Sequence, residues 1–156
     1  GADLVSAVTM THAEEAIGVA RAAQAAGIPY ILSFTVETDG NLPSAQGLQE
    51  ALAEVEAATG GSALFYMVNC AHPTHFSHRL SGPMQGRIGG IRANASRLSH
   101  AELDVATELD DGNPAEFGTE YAMLREMLPG LRIIGGCCGS DHRHVAAACA
   151  HLHQTH

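Results

Sequence analysis

Arg132-Ile133-Ile134-Gly135-Gly136-Cys137-Cys138-Gly139-Ser140 decides how the rest of the chain is read. The isoleucines read as a buried strand, the glycines as its end, and two adjacent thiols follow. Adjacent cysteines make a poor disulfide. Their Cα atoms lie about 3.8 Å apart across a trans peptide, short of the roughly 4.4–6.8 Å that a bridge spans. In a regular strand they would also face opposite sides of the sheet. Glycines on both flanks relax that constraint, so both sulfurs can turn toward one point. Two thiolates converging on one point suit a soft metal, with zinc the default.

A third thiol fits the same pattern. Ala63-Leu64-Phe65-Tyr66-Met67-Val68-Asn69-Cys70 is a second apolar run that ends in a cysteine, before Ala71-His72-Pro73. Two strands that each end in thiols are expected of a parallel sheet or barrel, whose C-terminal strand ends carry the active face. Three protein ligands leave one tetrahedral position open, the mark of a catalytic rather than a structural zinc site. The competing reading makes Cys70 and Cys149 small buried residues and the adjacent pair incidental.

The order of elements supports the parallel reading. Strands are expected over 3–8, 29–35, 63–69, 88–93 and 131–135. Helices are expected over 12–26, 45–58, 73–80, 100–106, 115–127 and 141–153. Such alternation means α/β with parallel strands. Thr11-His12-Ala13-Glu14 and Ser99-His100-Ala101-Glu102 both read as capping boxes. Residues 80–87 and 110–114 read as loops, and no internal repeat or low-complexity tract interrupts the alternation. A chain of 156 residues is one domain with room for a sizeable core, but a complete barrel takes about 250.

Val68-Asn69-Cys70 paired with Gly135-Gly136-Cys137-Cys138-Gly139 resembles the homocysteine S-methyltransferase family. Gly1-Ala2-Asp3-Leu4-Val5, Pro29-Tyr30-Ile31-Leu32-Ser33-Phe34-Thr35, Asp39-Gly40 and Ala93-Asn94-Ala95 are similar to family segments, in the family's order. The resemblance implies a (β/α)8 TIM barrel. Residues 1–156 then form a partial domain of about the last five strand–helix units, lacking the N-terminal strands. It implies Zn2+ held by Cys70, Cys137 and Cys138, with homocysteine sulfur at the fourth position and methyl transfer from a donor to give methionine. Asn69 and Asn94, at strand ends, are candidate substrate-binding residues, and Asn69 could equally support a ligand through a hydrogen bond. No cysteine is itself methylated in this scheme. The methyl donor (S-methylmethionine, betaine or a folate) is not legible in any segment.

Two departures bear on that expectation. Five units alone leave open sheet edges, so a missing N-terminal half or a homo-oligomer is expected. Family members also usually carry a glutamate that grips the homocysteine ammonium where Val8 stands before Thr9. Valine accepts no hydrogen bond, and an unpaired buried cation is costly. Glu14 and Glu15 are expected to face solvent. The alternative function is therefore a non-catalytic zinc-binding remnant that needs a partner chain.

Ten histidines invite a metal reading, but most have a plainer one. His72, His75 and His78 suit a solvent-exposed stripe on a short helix. His142, His144, His151, His153 and His156 suit the exposed surface of the last helix, and His100 a helix cap. A net charge of −9 with only eight Lys and Arg argues against nucleic acid. No apolar run approaches the roughly 20 residues of a membrane span. Four cysteines, two of them adjacent, are no secreted disulfide framework, and thiols kept reduced for a metal suit a cytoplasmic location. A phosphate loop at 135–139 lacks both a Walker lysine and the G-x-G-x-x-G pattern. Reversible oxidation of the adjacent pair, as in a redox protein, is disfavoured by its geometry.

Overall fold

The apolar runs that read as strands form one sheet. The computed structural model describes residues 1–153, and His156 lies outside them. The strands are β1 (Val5–Met10), β2 (Tyr30–Phe34), β3 (Tyr66–Asn69), β4 (Ile88–Ala93) and β5 (Ile133–Gly136). All neighbours are parallel, in sequence order. Between and after them come α1 (Ala13–Ala25), α2 (Leu48–Thr59), α3 (Pro73–Phe76), α4 (His100–Val105), α5 (Pro114–Met127) and α6 (His142–His153). Short 3-10 turns at Ser77–Arg79 and Gln85–Arg87 lie within the stretch between α3 and β4.

Alternation along the strands builds two faces. Leu32, Phe34, Tyr66, Val68, Ile91 and Ala93 join Ala16, Ala20, Leu52, Val55 and Leu124 from the helices in one apolar core. Ile31, Ser33, Met67 and Asn69, on the opposite face, are also buried. Burial on both faces is what a parallel sheet requires. α1 lies close to the sheet because its buried positions, Ala13, Ala16, Ala20 and Ala23, are all small. At the outer edge β1 is less covered, with Leu4 and Val8 each 43% exposed. Among the described residues, β1 and β5 each have a strand neighbour on one side only.

β1 differs from expectation by two residues, Val5–Met10 rather than 3–8. The reason is a bulge: the register shifts between Ala7 and Met10, and Thr9 takes a left-handed φ of 60°, so the strand absorbs an extra residue and runs on. β3 begins at Tyr66, three residues later than read. The capping box at Ser99 forms in full, but the one at Thr11 does not. His12 is the N-cap of α1 and makes no side-chain cap bond. The Thr11 hydroxyl pairs with His12 Nδ1 instead (2.8 Å), and Glu15 Oε2 accepts the Thr11 N–H (3.3 Å). No helix of the described residues is long and apolar enough to cross a membrane.

Tyr121 of α5 ties the last two strands together. Its hydroxyl accepts the Ala93 N–H (3.2 Å) and faces the carbonyls of Ile91 (3.0 Å) and Gly135 (2.5 Å). Burial pushes this phenol up to about 12, so it stays a neutral donor. Tyr121→Phe leaves the Ala93 amide without that partner and should cost about 1–3 kcal/mol, read as a lower denaturant midpoint at unchanged slope.

Candidate metal centre

Cys70 follows the last residue of β3 and turns sharply, with a left-handed φ of 54°. Its N–H donates to the Arg92 carbonyl of β4 (3.1 Å). Its carbonyl accepts His100 Nε2 (2.6 Å) and, more weakly, the Thr35 hydroxyl (3.4 Å). Cys137 and Cys138 follow β5. The Cys137 N–H donates to the Ala93 carbonyl (2.8 Å) and the Cys138 carbonyl accepts the Ala95 N–H (3.0 Å). Asn94 Oδ1 accepts the Cys138 N–H (3.1 Å). The turn closes at Gly139 with φ 78°, where a Cβ would collide with the Asp110 carbonyl oxygen.

These turns curl toward each other over the end of β4. β3 and β5 flank β4 and are about 10 Å apart at normal strand spacing, yet the Cα atoms of Cys70 and Cys137 are only 5.5 Å apart. The structure brings the sulfurs of these two cysteines into contact. The contact is between strand ends, not between the adjacent cysteines, whose pairing the sequence disfavours. The Cys138 sulfur completes a group of three within 4.8 Å of one another. A tetrahedral zinc with Zn–S near 2.3 Å spaces its sulfurs by roughly 3.8 Å, so the three thiols, once reduced, fit that ion as a donor set. Cys149, on α6, stands apart as a free thiol.

Cys138 is exposed and stands between two cavities. One, of about 320 Å³, is lined by Thr9, Thr11, Thr35, Cys70, His100 and Asp104 among others. The second, of about 410 Å³, is lined by Leu103, Asp104, Glu108, Leu109 and Gly139 among others.

The candidate asparagines part company here. Asn94 sits one hydrogen bond from Cys138. Asn69 bonds to β1 and β2 instead: its Oδ1 accepts the Thr9 N–H (2.9 Å) and the Ser33 hydroxyl (2.5 Å), and its Nδ2 donates to the Thr9 hydroxyl (2.8 Å). It thereby holds the β1 bulge that places Thr9 on the cavity wall. Glu14 and Glu15 are exposed, as expected. Asp104 is the carboxylate on the wall of both cavities.

The histidine readings need correction at two positions. His72 is buried rather than part of an exposed stripe. Its Nδ1 accepts the Thr74 N–H (3.3 Å) as the N-cap of α3. Burial, reinforced by the charges of Arg97 and His75, lowers its pKa to about 4. His144 is fully buried, with Nδ1 against Asp141 (3.0 Å) and Nε2 against the Asp111 carbonyl (2.7 Å). His144 packs against the loop carrying Asp111 and His72 lines a cavity with Arg97 and Asp110, neither of which spacing along a helix reveals. His100, read as a cap residue, lies in the site itself. No local signal marks it, because its partners Glu37 and Cys70 are remote in sequence. Among the described residues the three cysteines are the only group of three or more His, Cys, Asp or Glu residues close enough together to hold a metal.

A family model described as homocysteine S-methyltransferase matches residues 1–152. Among solved structures, the metallated form of the homocysteine methyltransferase MmuM from Escherichia coli shares the fold, with a TM-score of 0.65 at 21% sequence identity. The match covers 96% of this chain and 45% of that one, so the chain spans less than half the length of that relative. No curated protein matches. Across nearly its whole length, the chain belongs to the homocysteine S-methyltransferase family.

Proposed function

We propose that the protein transfers a methyl group from a donor to the thiol of homocysteine, with Cys70, Cys137 and Cys138 holding the zinc. The observation that carries this reading is the convergence of three thiols from two strand ends to within 4.8 Å beside open cavities. Zinc bound there would present the substrate sulfur as a thiolate, the nucleophilic form of a thiol that is mostly protonated near neutral pH. The chain's own residues shape the rest. Three cysteines leave one tetrahedral position for the substrate, and the exposure of Cys138 leaves that side accessible. Asn94 fixes the backbone of Cys138, and Asn69 fixes Thr9 on the cavity wall. Asp104 offers a carboxylate toward the substrate ammonium, a task that Val8 cannot perform.

The barrel belongs to the same proposal. What supports it is that five parallel strands in sequence order, with helices packed on one face, have no topological switch point, which suits a section of a (β/α)8 barrel. In that reading the open edges of β1 and β5 meet the remaining strands.

The test is isotope transfer from methyl-labelled S-methylmethionine and betaine to homocysteine, using reduced, zinc-loaded protein. Label in methionine from either donor, lost on removal of the metal with a chelator, is the expected outcome. Full zinc occupancy with no label transferred from either of them, or from a methyl folate, would contradict it.

A further inference from the structure

Among the described residues, Cys70 is one of three non-glycine residues with a left-handed backbone, at φ 54°. That conformation costs an ordinary L-residue roughly 1–2 kcal/mol, and cysteine lacks the carboxamide or carboxylate with which Asn and Asp ease it. Something outside the residue must hold it there. The Cys70 N–H is fixed by Arg92, as any ladder amide would be. Its carbonyl is fixed at 2.6 Å by the His100 ring, which donates from Nε2 because the oxygen can only accept.

His100 is well placed for that task. It is the first residue of α4, directly after Ser99, whose hydroxyl accepts the Glu102 N–H (3.3 Å) while Glu102 Oε2 accepts the Ser99 N–H (2.8 Å). On its other side, Nδ1 lies 3.3 Å from Glu37 Oε1. The loop carrying Glu37 is closed by its own backbone, Glu37 N–H to the Asn41 carbonyl (2.8 Å) and Gly40 N–H to the Glu37 carbonyl (2.9 Å). The ring is 32% exposed and lines the cavity beside Cys70 and Cys138, so it is not a packing residue of the core.

We propose that His100, presented by the capped start of α4, is a positioning residue of the metal centre: it clamps the Cys70 carbonyl and so keeps the Cys70 sulfur beside those of Cys137 and Cys138. The inference rests on the reading of those cysteines as zinc ligands. Partners that orient metal ligands through hydrogen bonds typically account for 10–100-fold in affinity. Zinc affinity of the reduced protein, measured by competition with a chromophoric chelator, tests it. His100→Ala should weaken binding by about 10–100-fold with the thermal midpoint of the metal-free protein unchanged. His100→Gln, whose amide nitrogen reaches the place of Nε2, should recover most of the loss. His100→Asn, one carbon shorter, should not. Gln and Asn variants of equal affinity, or an Ala variant that binds as the wild type does, would overturn the clamp while leaving the zinc site standing. A wild-type protein that takes up no zinc would overturn both.

Discussion

Alanine at Cys138 is expected to strip the protein of its zinc and to abolish methyl transfer to homocysteine, while leaving the fold in place. Cys138 is exposed and contributes nothing to the apolar core, so its removal creates no cavity. Its backbone bonds to Asn94 and Ala95 survive the substitution. What is lost is one of three sulfurs in a set that has no spare: among the described residues no other His, Cys, Asp or Glu joins the group. The loss in affinity should therefore exceed the roughly 10–100-fold of an outer hydrogen-bond partner. Elemental analysis and label transfer read the result. Cys149→Ala, on α6 and remote from the group, should retain both zinc and activity. A Cys138→Ala variant with unchanged zinc content would refute the ligand assignment.

Asn69→Ala is expected to be the most damaging single change to stability near the site. Asn69 is buried and is the shared partner of Thr9 N–H, Thr9 Oγ1 and Ser33 Oγ. Alanine leaves the buried Ser33 hydroxyl without that partner, whereas Thr9 is exposed and its groups can turn to water, so a loss of about 1–3 kcal/mol is expected. Thr9 holds its left-handed φ of 60° against that anchor, and its release should let β1 slip out of the bulge. Chemical denaturation measures the loss. The same variant should raise the homocysteine KM, because Thr9 and Thr11 line the cavity beside Cys70. A destabilisation well below about 1 kcal/mol would show that the strand is held by packing alone.

The thiol group was legible in the sequence because each part of it is local. A β-branched run, flanking glycines and a terminal cysteine say where a strand stops and what it presents. The start of α4 was legible for the same reason, in the Ser99 capping box. What escaped depended on distant partners. The β1 bulge needs Asn69, sixty residues away, and shifted the strand by two positions. The approach of Cys70 to Cys137 needs both turns to bend across β4, which no spacing encodes. The burial of His72 beside Arg97 and Asp110 and of His144 against Asp111 depends on segments remote in sequence, and histidine periodicity carries no such information. His100 looked fully explained by the cap it sits in. Its contacts with Glu37 and Cys70 arise only once β2, β3 and α4 meet.

The most direct test of a three-thiolate zinc that activates a substrate thiol is zinc K-edge X-ray absorption of the reduced protein, without and with homocysteine. Such a centre gives three sulfurs near 2.3 Å with one light atom, becoming four sulfurs when homocysteine is added. Fewer than three sulfurs before addition, or an unchanged shell after it at saturating substrate, would contradict it.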